Sequence, residues 1–371
     1  MKKIISLVLC LMLVLAFAGC GQSQPATSQP AASQPAASQP AASQPAASQD
    51  TQEVYNVAFV AKSLSNELFI AYDVGMKAFV DDYNAKAGYT KVVYNSHTTA
   101  NESDVAQMVD LCETLLTQDL DALLITPASS TSFANIVKTC NDKGILFIDL
   151  DTEVDASELA AVGAKFDLFL GNDNVEMGEA IFQSVVDEFN GTCKYITIGG
   201  FEGASTHIEM MAGMKIVEDK NPGMVRIDYQ PADWNRNKAY EIASSLLTAH
   251  PDVECFVALN DQMASGVISA IENIGKVPGK DIKVAGSTFV GDGPANVFEG
   301  KQISSVSRQP NLCGKTAIEQ AIRWCEGLDF EHPNLKGDRL LVPVKPVKPA
   351  DLTKGPSGNY LDKDGVDVST W

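Results

Sequence analysis

Val57-Ala58-Phe59-Val60-Ala61 is a short apolar run that opens into the polar loop Lys62-Ser63-Leu64-Ser65-Asn66-Glu67, after which an amphipathic stretch begins at Leu68. A run of this length, closed by polar residues and followed by helical periodicity, is the strand, loop and helix of a parallel sheet. The unit recurs. Strands are predicted over 57–61, 91–94, 122–126, 145–150 and 168–170, with helices over 68–85, 103–118 and 132–142 between them. A second set follows, in which helices over 175–188, 206–219, 238–248 and 262–274 alternate with strands over 195–198, 225–229, 255–258 and 282–285. The fold class expected is α/β, with two successive doubly wound parallel-sheet lobes.

Loops at the carboxyl ends of the strands in such sheets collect the ligand-binding groups. Here they carry Lys62, Asn66 and Phe69 after the first strand and Asp149-Leu150-Asp151-Thr152 after the fourth, with Trp234, Asn260-Asp261 and Arg308 further on.

The N-terminal flank has a different character. Met1-Lys2-Lys3 precedes an apolar run over 4–17, too short for a spanning helix, which reads as a secretory signal. Its end, Leu15-Ala16-Phe17-Ala18-Gly19-Cys20, resembles a lipoprotein lipobox, so 1–20 is the expected signal peptide and Cys20 the expected lipidation site. An uncleaved anchor helix is the alternative, and the absence of basic stop-transfer residues around Gly19-Cys20-Gly21 argues against it. Ser-Gln-Pro-Ala-Ala then repeats from Ser28 to Ala47, with almost nothing apolar to bury, and predicts a disordered tether over 21–53. The rest is expected to work outside the cytoplasm, anchored to the membrane by lipid.

The formal net charge is −19, and it becomes more negative when Lys2 and Lys3 leave with the signal. An acidic surface repels phosphate backbones, which disfavours nucleic acid as a partner. Past the signal, Cys112, Cys140, Cys193, Cys255, Cys313 and Cys325 show no Cys-x-x-Cys spacing, and most fall in apolar helix or strand contexts. They read as buried small hydrophobes, with disulfides or metal ligation as alternatives.

Asp173-Asn174, Gln230-Pro231-Ala232-Asp233-Trp234, and Leu246-Leu247-Thr248-Ala249-His250-Pro251-Asp252-Val253 leading into Ala258-Leu259-Asn260-Asp261-Gln262-Met263-Ala264 carry a resemblance. Over about 54–344 the chain resembles the sugar-binding branch of the type I periplasmic binding proteins. That resemblance implies two lobes joined by three crossings and a sugar enclosed when they hinge together. It divides the chain into a first lobe of 54–172 plus 309–337, a second of 173–308 plus 338–350, and a tail of 351–371. It also implies roles: Lys62 and Asn66 as polar contacts, Phe69 and Trp234 as stacking rings, Asp151 as acceptor of two hydroxyls, Asn260 as an amide contact. Ribose binders differ from this chain at Thr152 and near His207 or Ile208, where they carry arginines, at Thr288, where they carry aspartate, and at Arg308, where they carry glutamine. A pentose, hexose, polyol or furanosyl signal all stay open as ligand. The partners implied are an ABC permease and ATPase, with the binding protein itself monomeric and without cofactor or metal.

The chemistry of these residue types points the same way. A sugar has two apolar C–H faces and a rim of hydroxyls, which call for aromatic rings and for polar groups that donate and accept. Each residue has a plainer reading: core packing for Phe69, surface charge for Lys62 and Arg308, and a solvated acidic edge or weak cation site for Asp151 with Asp149, Glu153 and Asp155. Lys62 and Arg308, with Thr288 where ribose binders carry aspartate, predict a cleft more cationic than a ribose pocket; the two charges either pair with Asp151 or reach a ligand bearing a carboxylate or a strongly polarised ring oxygen. Asn172-Asp173-Asn174 reads as a helix cap or hinge bond, and Gly199-Gly200-Phe201-Glu202-Gly203 as a tight turn. A cleft enzyme is the rival class, but nucleophile-elbow, zinc-protease and Walker motifs are missing. A repressor of this fold would need a helix-turn-helix where the chain has its signal and tether. A receptor that senses without transport is the remaining alternative.

Overall fold

The computed structural model of the chain describes residues 53–371. The signal segment 1–20 with Cys20, and the tether over 21–53 apart from Glu53, lie outside the described residues. Helix starts follow from short polar side chains. Asn66, Asp104, Asp155, Asp173, Asn235 and Asn260 each accept a hydrogen bond from a backbone N–H of the first turn they precede, satisfying a donor the helix cannot.

The first lobe is built from β1 (Tyr55–Ala61), α1 (Glu67–Ala87), β2 (Val92–Thr98), α2 (Val105–Leu115), β3 (Ala122–Ile125), α3 (Ala134–Lys143), β4 (Leu146–Leu150), α4 (Ala156–Val162) and β5 (Leu168–Gly171). The strands lie parallel in the order β2-β1-β3-β4-β5. Their alternation feeds two cores. Val57, Phe59 and Ala61 face a layer containing Leu68, Tyr72 and Met76 of α1, while Ala58 and Val60 face Met108, Phe133 and Val137 of α2 and the third helical segment. Strands covered on both faces need continuous apolar sequence, which is why β3 and β4 are buried throughout.

The second lobe contains α5 (Asn174–Glu188), β6 (Cys193–Gly199), α6 (Ser205–Glu218), β7 (Met224–Pro231), α7 (Arg236–Ala249), β8 (Cys255–Ala258), α8 (Asp261–Asn273), β9 (Lys283–Ala285), α9 (Gly293–Phe298) and β10 (Ser305–Ser307). Its parallel sheet has the order β7-β6-β8-β9. Parallel bridges Ala285–Ser304 and Thr288–Ser307 bring β10 alongside.

The chain then returns to the first lobe. There α10 (Pro310–Cys325) packs on α1 closely enough that both helices need glycine at the contact. A Cβ on Gly75 would stand 2.3 Å from the Asn311 carbonyl oxygen, and one on Gly314 would stand 2.1 Å from that of Tyr72. Next, β11 (Leu335–Lys336) and β12 (Arg339–Leu341) extend the first sheet, β12 pairing in parallel with β5. This corrects the division drawn from sequence, which gave 338–350 to the second lobe. Leu340 is fully buried in the first core, so the last crossing falls after Leu341. Beyond it, β13 (Lys345–Val347) pairs antiparallel with β10. Asn172 holds the crossings together: its Nδ2 donates to the Arg308 carbonyl at 3.1 Å and to the Val342 carbonyl at 2.8 Å.

The tail is ordered on the body. After the short hairpin of β14 (Thr353–Lys354) and β15 (Tyr360–Leu361), Trp371 stacks on Phe289 with centroids 5.6 Å apart, and its carbonyl accepts from the Asn311 N–H at 2.9 Å. Phe289 belongs to the second lobe and Asn311 to the first, so the tail bridges both beside the hinge. All six cysteines among the described residues are free thiols, and burial makes them weaker acids than an ordinary thiol. No helix among the described residues is long and apolar enough to cross a membrane.

Candidate ligand-binding site

The carboxyl ends of β1, β2, β4, β8 and β9 and the crossing after β10 converge on one cavity between the lobes, with about 300 Å³ of empty space. Of the residues singled out from sequence, Lys62, Asn66, Phe69, Asp151, Trp234, Asn260, Thr288 and Arg308 line it. Thr152 and His207 do not.

Asp151 is the electrostatic centre. Its Oδ2 accepts from Lys62 Nζ at 3.1 Å and its Oδ1 from Arg308 Nη1 at 3.2 Å, and all three side chains are almost wholly buried. Burial pushes the Asp151 carboxyl up, but Lys62 and Arg308 outweigh it and hold the group below the ordinary carboxylate range. Of the two options for these charges, pairing with Asp151 is the one the structure shows, and the cavity contains a second carboxyl, Glu102. Arg308 keeps donors in reserve, because its buried Nε has no hydrogen-bond partner among the described residues.

The acidic edge suggested by alternating carboxylates does not form. Asp149 is buried and accepts from the Val154 N–H at 2.7 Å, Glu153 pairs with Arg339, and Asp155 caps α4. Burial leaves the Asp149 carboxyl well above its usual range. Among the described residues no three His, Cys, Asp or Glu side chains come together to hold a metal.

Two aromatic residues face the cavity. Phe69, one turn into α1, is both core and lining: Lys62 Nζ sits 5.5 Å from its ring centroid and Tyr72 meets it edge-on. Trp234 sits in the turn between β7 and α7, and Gly200 makes room for its indole. A Cβ at Gly200 would lie 2.1 Å from Trp234 Cζ2, so the glycine turn serves the ring. Asp151, Trp234 and Thr288 all have left-handed backbones, with φ of 66°, 63° and 89°. Strained non-glycine backbone gathers where side chains must be aimed.

His207 is corrected from contact to support. Its Nδ1 accepts from the Gly200 N–H at 3.2 Å and its ring meets Trp234 edge-on, behind the indole. Burial lowers its basicity. The neighbour Thr206 lines the cavity instead, since one residue along a helix turns the side chain by about 100°. Thr152 likewise stands behind, its hydroxyl bonded to Lys62 Nζ and, at 2.9 Å, to Thr206 Oγ1. Asn260 spends its Oδ1 on the Met263 N–H at 2.8 Å and one N–H on the Trp234 carbonyl at 3.2 Å.

Sequence reasoning missed Glu102 and Thr206. Glu102 is half-buried in the loop after β2, where Asn66 Nδ2 donates to its Oε1 at 2.7 Å. Burial pushes its carboxyl up to about 7, against the opposing pull of Lys62 and Asn66. The signal available was position: the loop follows a strand at the same edge as the others.

The lobes are closed over the cavity. Gln262 Nε2 donates to the Ser65 carbonyl at 3.0 Å and to the Glu67 carboxylate, Ser205 Oγ accepts from the Glu153 N–H at 3.0 Å, and the Thr152–Thr206 bond also crosses between lobes.

Two α/β lobes, a three-stranded hinge and an enclosed polar cavity with aromatic lining define a solute-binding protein of the hinge-closing class. The periplasmic binding protein domain family matches residues 57–329, and the chain belongs to it. It is a family of solute-binding proteins rather than enzymes. The chain is similar to the ribose import binding protein RbsB of Bacillus subtilis (strain 168), 28% identical over 267 residues, which is 72% of this chain and 80% of that protein. Its fold is that of an ABC transporter periplasmic solute binding protein from Actinobacillus succinogenes 130z with bound D-allose, at a TM-score of 0.72 and 24% identity, covering 80% of this chain and 98% of that one. A Bacillus halodurans C-125 solute binding protein with bound myo-inositol superposes at 0.71 with 22% identity, over 81% and 97% of the two chains.

Proposed function

We propose that the chain is the extracytoplasmic substrate-binding subunit of an ABC importer, capturing a monosaccharide or sugar-like small molecule between its lobes. The observation that carries this reading is the cavity itself: Asp151 shared by two buried cations, between lobes that each contribute an aromatic side chain, Phe69 and Trp234. Such a site matches a neutral ring with apolar faces and a hydroxyl rim, because hydroxyls both accept from Lys62 and Arg308 and donate to Asp151. Asn66, Asn260 and Thr288 complete the rim, with Thr152 and His207 supporting from behind. Relatives named for ribose, allose and galactofuranose support the ligand class.

Binding to the native state alone raises the melting temperature, by an amount that grows with ligand concentration over Kd. A thermal-shift screen against D-ribose, D-allose, myo-inositol, D-galactose and sugar acids is expected to show dose-dependent stabilisation by a neutral member. No shift with any neutral sugar or polyol would refute the reading.

The protein acts as a monomer, delivering its ligand to a permease with an associated ATPase, and Cys20 carries the lipid that anchors it. Replacing Cys20 by serine is expected to release the protein from membranes, and retention after a high-salt wash would place the anchor elsewhere.

A further inference from the structure

The loop between β2 and α2 brings Glu102 into the cavity, and the arrangement around it is asymmetric. Its Oε1 is anchored by Asn66 Nδ2 at 2.7 Å. Asn66 is itself fixed, because its Oδ1 accepts from the Leu68 N–H at 3.0 Å at the start of α1. The other carboxylate oxygen of Glu102 accepts no hydrogen bond among the described residues, and its side chain lines the cavity beside Lys62 and Asp151.

A carboxylate has acceptor sites on both oxygens, and the outer one of this half-buried side chain is left open to whatever fills the cavity. Neither nearby cation donates to it: Lys62 Nζ bonds to Asp151 and Thr152, and Arg308 Nη1 to Asp151. A hydroxyl of the cavity's occupant is the donor the arrangement leaves room for. We propose that Glu102 is a ligand-contacting, specificity-determining residue whose outer carboxylate oxygen accepts a hydroxyl of a neutral sugar and turns away the corresponding sugar acid. This rests on the reading of the protein as a sugar binder and deepens it, since it excludes anionic congeners.

The test is calorimetric titration at pH 8, above the raised Glu102 value of about 7. D-ribose against D-ribonate and D-galactose against D-galactonate are titrated into the wild-type protein, Glu102→Gln and Glu102→Ala, with melting temperatures measured alongside. The Gln variant keeps an oxygen for the Asn66 bond and replaces the outer acceptor with an amide donor. The expectation is that wild type binds a neutral sugar and rejects its acid. Glu102→Ala weakens the neutral sugar about tenfold, as loss of a charged hydrogen bond would. Glu102→Gln weakens it severalfold and brings the acid within about tenfold of the neutral sugar. If Glu102→Gln leaves affinity and selectivity unchanged, Glu102 acts only by propping Asn66 and the inference is overturned, although the sugar reading stands. Preference of wild type for the acid overturns it too. If wild type binds none of the four and no neutral sugar or polyol raises its melting temperature, the sugar reading itself fails and takes the inference with it.

Discussion

Arg308 Nη1 donates to Asp151 Oδ1 at 3.2 Å in an ion pair whose two side chains are almost wholly buried, linking the end of a first-lobe strand to the hinge. The same carboxylate holds Lys62, so one residue is shared by two cations. Removing one partner of a buried pair leaves uncompensated charge and costs roughly 3–5 kcal/mol. Asp151→Ala is therefore expected to lower sugar affinity at least tenfold and to reduce unfolding free energy by a few kcal/mol, read by calorimetry and urea denaturation. A variant with unchanged affinity and stability would mean that the pair is incidental.

Gly200 and Trp234 are expected to behave as one unit. Alanine at Gly200 puts a Cβ where the indole lies, 2.1 Å from Cζ2, and overpacking of this kind costs about 1–3 kcal/mol. Gly200→Ala should shift the tryptophan emission and cost tenfold or more in affinity, with far-UV circular dichroism unchanged. Wild-type emission and affinity in the variant would show that the indole has room to spare.

Much of this architecture was legible in sequence, for identifiable reasons. Runs such as Leu123-Leu124-Ile125 and Phe147-Ile148 are buried on both faces, so β3 is wholly apolar and β4 carries a single polar residue, Asp149, near its carboxyl end. Lys62, Asp151 and Asn260 were findable because a doubly wound sheet sends every such loop to one edge. Glu102 was not, since Asn101-Glu102-Ser103-Asp104 has the composition of a solvated turn and only the closed geometry shows its carboxyl in the cavity. Phase along α6 separated His207 from Thr206. The docking of Trp371 on Phe289 depends on a contact between residues 82 positions apart, which no local pattern encodes.

Gln262 closes the cleft without shaping either lobe. Its bonds to Ser65 and Glu67 join the two lobes, so they are lost on opening. Gln262→Ala should speed ligand release about two- to tenfold, in keeping with about 0.5–1.5 kcal/mol for one hydrogen bond, and leave ligand-free stability nearly unchanged. Stopped-flow tryptophan fluorescence measures the rate. An unaltered release rate would remove Gln262 from the closing contacts.

Asp261 predicts a pH dependence with a definite sign. Burial pushes its carboxyl up to about 7, against donors from Gln302, Ser305 and the Phe289 N–H, which accompanies the strained turn presenting Thr288. A carboxyl whose folded pKa is raised stabilises fully below the unfolded value near 3.8, and that contribution is lost as pH rises through about 7. Asp261→Asn does not titrate there. The stability gap between wild type and Asp261→Asn, from urea denaturation, should be larger at pH 5 than at pH 8, with the opposing effect of His207 common to both proteins. An equal gap at both pH values would contradict the assignment.

The central claim, that a neutral sugar is held between Phe69 and Trp234 around Asp151, is tested most directly by a crystal structure grown with the sugar that raises the melting temperature most. The ring should lie between the two aromatic side chains, with hydroxyl oxygens within about 3.2 Å of the Asp151 carboxylate and of Arg308 Nε. A sugar bound anywhere outside this cleft, or inside it with Asp151 untouched, would contradict the account.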